Sequence, residues 1–169
     1  MARLARRARR HGPGRAPLAD ARLLFVGAPP PRIAELSDQA RERGLGGRVL
    51  VIGHREDVPQ ILAASDVVVD ASYAGAGLTG SIREALACER PVVATDLAGM
   101  PELVVDGETG LLVPPRDPAA LAGAILRLAG DPTLAQAIAR AGRKRVDAHF
   151  SLGAKLDATE ALYRRLVAA

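Results

Sequence analysis

Residues 66–96 read DVVVDASYAGAGLTGSIREALACERPVVATD, and the order of signals in this stretch decides the fold. Two nearly continuous apolar runs, Asp66–Ala71 and Pro91–Asp96, enclose a glycine-rich loop and a segment of helical character opening near Ser81. Strands apolar at every position are expected to be covered on both faces, which is the habit of parallel sheets with helical crossovers. The unit is therefore strand, loop, helix, strand, and its glycines fall where the first strand ends.

The same alternation continues on both sides. Upstream, the runs Arg22–Gly27 (RLLFVG) and Arg48–Gly53 (RVLVIG) are bounded by Gly or charged residues, and downstream Thr109–Pro114 (TGLLVP) repeats the pattern. Between the first two, Ile33, Leu36 and Ala40 keep helical spacing and Gly44 is a natural stop. Asp57 is placed to cap a helix over Val58–Ser65, with Pro59 tolerated in its first turn. Asp117-Pro118 and Asp131-Pro132 each combine a capping carboxylate with a proline at the first helical position. A last helix is expected from Ser151 to the end, with Leu152, Leu156, Tyr163 and Leu166 on roughly one side. Five strands alternating with helices predict an α/β fold, a doubly wound, Rossmann-like parallel sheet with extra carboxyl-terminal helices.

The start of the chain differs. Residues 1–10 read as an amphipathic helix that begins abruptly, so a strand and one edge of the sheet are expected upstream, and the chain reads as a fragment. The expected organisation is an Arg-rich partial helix and linker over 1–20 and one domain over 21–169.

Composition narrows the function. With 169 residues, 49% hydrophobic and 25% charged, the chain suits one soluble core, and no apolar run approaches the roughly 20 residues of a membrane span. The net charge of +4 arises at one end, because Arg3, Arg6, Arg7, Arg9, Arg10 and Arg15 precede a remainder that is net negative. With no Trp, two Tyr and two Phe, the stacking platforms of nucleic-acid binders are missing, and no nucleic-acid partner is expected. A single cysteine, Cys88, forms no internal disulfide, which makes the cytoplasm the default location. Three His and one Cys without ligand spacing predict no metal.

The chemistry is expected at Ser72–Cys88. Gly75, Gly77 and Gly80 let backbone approach a ligand, and the helix that follows points free amides into the same space, which suits a phosphate. Glu84, one turn into that helix, can accept hydrogen bonds from a pair of ribose hydroxyls; it can equally be a surface acid favoured by the helix dipole. Read literally, GAGLTG over Gly75–Gly80 also matches a dinucleotide fingerprint, with Asp96 as its ribose acid, so an NAD- or FAD-binding module is an alternative. The fingerprint normally follows the first strand, and here it follows the third. A third reading is a non-enzymatic remnant acting in oligomerisation.

VGAPPPRIAELSDQARERGLGGRVLVIGHREDVPQILAASDVVVDAS (26–72), GLTGSIREALACERPVVATDLAGMPELVVDGETGLLVPPRDPAALAGAILRLAGDP (77–132) and RVDAHFSLGAKLDATEALYRRL (145–166) together resemble the carboxyl-terminal domain of GT-B retaining glycosyltransferases, the glycosyltransferase family 4 group. The resemblance covers about residues 21–168. It implies half of a GT-B fold that binds a nucleotide-diphosphate sugar as donor substrate, with no further cofactor. It also implies that Gly77, Leu78, Thr79, Gly80 and Ser81 offer amides to the diphosphate and that Glu84 holds the ribose. Gly53, His54 and Arg55 then border the base, and Gly27 lies at the cleft mouth. Three departures accompany it. Ala76 replaces the first acid of the E-x7-E pattern; Glu89 stands where a helix-terminating glycine is usual; and the basic pair and amino-terminal acceptor domain would lie before Met1. The resemblance thus implies weak donor binding and no turnover alone, an acceptor domain or another chain as partner, and self-association through apolar surface left uncovered.

Overall fold

The computed structural model describes residues 2–5, 20–75 and 80–167. Its elements, in chain order, are β1 (Ala2–Ala5), β2 (Arg22–Val26), α1 (Pro30–Glu42), β3 (Val49–Ile52), α2 (Val58–Ala63), β4 (Val67–Asp70), α3 (Gly80–Ala87), β5 (Val92–Thr95), α4 (Met100–Leu103), β6 (Leu111–Val113), α5 (Pro118–Gly130), α6 (Pro132–His149) and α7 (Leu152–Val167). The strands form one six-stranded sheet in the order β3-β2-β1-β4-β5-β6.

The five expected strands all form and all run the same way. β2 pairs parallel with β3, β4 with β5 and β5 with β6, while β1 is antiparallel to both β2 and β4, so those two are themselves co-directional. Two expectations need correction here. Residues 2–5 are a strand and not part of a helix, and the sheet is mixed through that one strand. The physical reason lies in its neighbours: β2 and β4 would each face a row of unpaired backbone groups, and Ala2–Ala5 pairs with both rows. Met1 and residues 6–19 of the expected Arg-rich helix lie outside the described residues.

The core follows from period-two alternation along β4 and β5. Val68, Val92 and Ala94 join Leu62, Ile82 and Leu86 on one face, while Val67, Val69 and Val93 join Leu111, Leu128 and Ile138 on the other. Each fully buried Leu or Val contributes about 1.5–3 kcal/mol relative to exposure, so this half of the sheet is the stable centre. The expectation of cover on both faces holds for β4 and β5 but not for β3, an edge strand whose Leu50 is 60% exposed.

The helix termini follow the capping chemistry with one exception. Asp117 accepts from the Ala120 amide at 2.8 Å and Asp131 from the Leu134 amide at 3.0 Å. Asp57 precedes α2 as expected but makes no capping bond, because its carboxylate is turned to Arg55. Gly44 takes a left-handed φ of +70° and ends α1. On α7, Leu152, Leu156, Tyr163 and Leu166 stay 59–73% exposed. No helix among the described residues is long and apolar enough to cross a membrane.

Candidate functional site

Because the five long-range strands are co-directional, their carboxyl ends share one edge of the sheet, the edge at which open α/β sheets bind ligands. Gly27 ends β2 and Gly53 ends β3, and the structure joins them. The Gly27 amide donates to the Ile52 and Gly53 carbonyls at 3.1 and 3.0 Å, and Gly27 itself takes a left-handed φ of +85°, which suits glycine. His54 and Arg55 follow, both exposed. Asp57 holds the Arg55 guanidinium in two bonds, Nε to Oδ1 at 2.7 Å and an Nη to Oδ2 at 2.8 Å. These hydrogen bonds, and then the charge of Asp57, hold the Arg55 pKa above its ordinary value.

The glycine segment leaves β4 from a buried root. Asp70, the last residue of β4, is 6% exposed; its carboxylate accepts from the Ser72 amide at 2.9 Å, and its carbonyl accepts from the Thr95 hydroxyl at 3.2 Å. Asp70 marks the strand's end, as its place in the sequence indicates, and also ties the start of the loop to β5. Gly75 has φ +134°, in the region that favours glycine. Gly77, Leu78 and Thr79 lie outside the described residues, as does Ala76.

Gly80 and Ser81 open α3, and Ile82, Ala85 and Leu86 bury its inner face, which fixes the direction of the helix axis. Glu84 is on the exposed side. Its Oε1 lies 3.8 Å from where a Cβ on Gly80 would sit, so the carboxylate turns back toward the helix start. Among the described residues no group bonds that carboxylate. A hydrogen-bond acceptor thus stands beside the first turn of α3; a carboxylate of this kind can accept from a diol, and first-turn amides have no partner within their own helix. Among the described residues no three His, Cys, Asp or Glu side chains converge as metal ligands.

A feature without a sequence signal adjoins this edge. A pocket of about 240 Å³ opens among Ala71, Tyr73, Thr95, Val113, Arg116 and Leu121. The Arg116 guanidinium carbon stands 5.6 Å from the centre of the Tyr73 ring. The two residues are far apart in the chain and share no period, so only the three-dimensional arrangement brings them together.

Comparison with known proteins shows the family and the fold. The family described as glycosyl transferases group 1 matches residues 5–131. Alpha-maltose-1-phosphate synthase of Mycolicibacterium smegmatis is 37% identical over 159 residues, covering 86% of this chain and 41% of that protein. Sucrose-phosphate synthase from Thermosynechococcus elongatus superimposes with a TM-score of 0.76 at 38% identity, covering 86% of this chain and 38% of the other. Anabaena HepE, solved in complex with UDP, gives a TM-score of 0.76 at 32% identity, covering 83% of this chain and 40% of the other. The chain therefore spans about two fifths of the length of these proteins. With a match over most of its length and the same α/β architecture, the chain belongs to the glycosyl transferases group 1 family and is a Rossmann-like half of the GT-B type.

Proposed function

We propose that this domain binds the nucleoside-diphosphate end of a sugar donor and serves as the donor half of a retaining glycosyltransferase. The observation that carries the reading is Glu84, an unbonded carboxylate among the described residues, turned back toward the start of α3 at the carboxyl edge of the strands. Gly77–Ser81 supply backbone amides to the diphosphate, Glu84 accepts from the ribose hydroxyls, and Gly53, His54 and Arg55 border the base, with Gly27 at the mouth. The UDP bound by HepE supports this choice of ligand.

In transfer, the bond from the anomeric carbon to the diphosphate oxygen breaks, the acceptor's hydroxyl oxygen bonds to that carbon and gives up its proton, and negative charge grows on the departing phosphate oxygen. Fixed amides at a helix start stabilise that charge without reorganising. The acceptor reaches the sugar from a surface contributed by a second domain or another chain, and the domain alone binds donor weakly. A dinucleotide fits less well, since its glycine loop belongs after the first strand of the fold and here follows β4.

The test is a calorimetric titration of UDP, GDP and ADP sugars against the wild type and Glu84→Ala, with NAD as a control in thermal-shift assays. One of the nucleoside diphosphate sugars should bind and NAD should not. Loss of two charge-assisted hydrogen bonds at about 1.5–3 kcal/mol each would weaken Glu84→Ala by at least about 100-fold. A mutant that binds as well as the wild type removes the ribose role.

A further inference from the structure

Arg116 occupies a position that its own backbone disfavours. Its φ is +61°, in the left-handed region where a side chain is strained and glycine is not. It follows β6 in the turn leading to α5, where the neighbouring Asp117 already uses its carboxylate on the Ala120 amide. Among the described residues Arg116 forms no ion pair. Its partner is an aromatic face: the guanidinium lies 5.6 Å from the centre of the Tyr73 ring, which is itself 66% exposed. A cation held over a ring at that distance is attracted by the ring's quadrupole.

Tyr73 is part of the segment leaving β4 for the glycine loop. That segment is tied from below by the Ser72 amide on Asp70 and by the Thr95 hydroxyl on the Asp70 carbonyl. Beyond Ser72 no described hydrogen bond restrains Tyr73, Ala74 or Gly75, and Gly75 adds a backbone of wide conformational freedom. The contact to Arg116 is thus a lateral restraint on the segment, and it crosses from the turn after β6 over the end of β5.

We infer that Arg116 is a positioning residue for donor binding, acting through Tyr73 to hold the Tyr73–Gly75 segment in register with the start of α3. This rests on the donor-binding reading above. Arg116 touches no donor in this role. A strained cation stands at a turn where glycine would be easier, and its contact to the ring orders the approach to the site.

The experiment compares the wild type with Arg116→Gly, Arg116→Lys, Tyr73→Phe, Tyr73→Ala and the double variant Arg116→Gly/Tyr73→Ala. Melting temperature, backbone order parameters from NMR relaxation at Ala74, Gly75 and Ser81, and affinity for UDP are measured on each. Arg116→Gly should melt no lower than the wild type, yet order at Ala74 and Gly75 should fall and UDP affinity should drop roughly two- to fivefold. Tyr73→Ala should do the same, and the double variant should add nothing, the sign of a shared interaction. Arg116→Lys and Tyr73→Phe keep a cation and a ring and should stay close to the wild type. Unchanged order in Arg116→Gly, or affinity losses of the two single variants that multiply in the double, overturns the inference. Lower order with undiminished UDP affinity also overturns it, because the ordering would then have no bearing on binding. A wild type that fails to bind any nucleoside diphosphate would instead remove the donor-binding reading, while the order parameters would still decide whether Arg116 orders the segment.

Discussion

Gly142 and Leu86 are in such close contact that a methyl group at Gly142 would lie 2.5 Å from Leu86 Cδ2 and 2.9 Å from the Thr109 carbonyl oxygen. Gly142 is on α6 and Leu86 on α3, so the closest approach of these helices is set where α6 has no side chain. Two effects oppose each other in Gly142→Ala. Helix propensity favours alanine by about 1 kcal/mol, whereas overpacking a closed interface costs about 1–3 kcal/mol. The second should win, because Leu86 is fully buried and the Thr109 oxygen belongs to the backbone and cannot rotate away. Gly142→Ala should lose about 1 kcal/mol net and melt about 2–4 °C lower, measured by calorimetry. Since α3 carries Gly80, Ser81 and Glu84, the same variant should also weaken nucleotide binding.

Glu89 follows α3 with φ +53°, and the amides after the helix close the turn, Glu89 onto the Leu86 carbonyl and Arg90 onto the Ala85 carbonyl, both at 2.9 Å. The side chain is exposed. A left-handed non-glycine residue costs roughly 1–2 kcal/mol, and part of that gain on replacement is returned as added freedom of the unfolded chain. Glu89→Gly should therefore stabilise the protein by about 0.5–1 kcal/mol, seen as a higher urea midpoint with unchanged slope. A lower midpoint would mean that Glu89 makes a favourable contact outweighing its backbone strain.

These positions also indicate what can be read from a chain of residues and what cannot. The five strands were legible because each is a short apolar run closed by Gly, Pro or a charged residue, and DVVVDA and PVVATD correspond to the two strands buried along their whole length. The carboxylates of Asp117 and Asp131 were legible because a cap acts within three residues. Asp57 had the same local signature, yet a neighbouring guanidinium competes for its oxygens, and local pattern does not rank the two partners. Ala2–Ala5 reads as helical because its periodicity is that of a surface helix, while its strand state is dictated by the unpaired edges of β2 and β4. α4, four residues long, is too short to show a period. In the candidate site the place of Glu84, one turn into the helix after a glycine loop, was legible and left two roles open, of which the resemblance chose one; the Arg116–Tyr73 contact depends on the segments after β4 and β6 meeting across the end of β5.

Arg55 lends itself to a change that strengthens binding. The bond pair to Asp57 is exposed on both sides, with side-chain exposures of 51% and 40%, and such pairs add little to stability because water competes for the charges. It nevertheless occupies the guanidinium, through the hydrogen bonds and then the charge that raise the Arg55 pKa. Arg55 stays protonated with or without Asp57, so the substitution changes where its donors point and not its charge. Asp57→Asn keeps a residue suited to precede α2, removes a negative charge from the rim of an anion's site, and frees the Arg55 donors for the base. The variant should melt within a degree or two of the wild type and bind UDP severalfold more tightly, with the gain shrinking as salt is raised from about 0.01 to 1 M. If binding weakens instead, Asp57 is holding Arg55 in the orientation that the base requires, and the bond pair belongs to the binding surface as it stands.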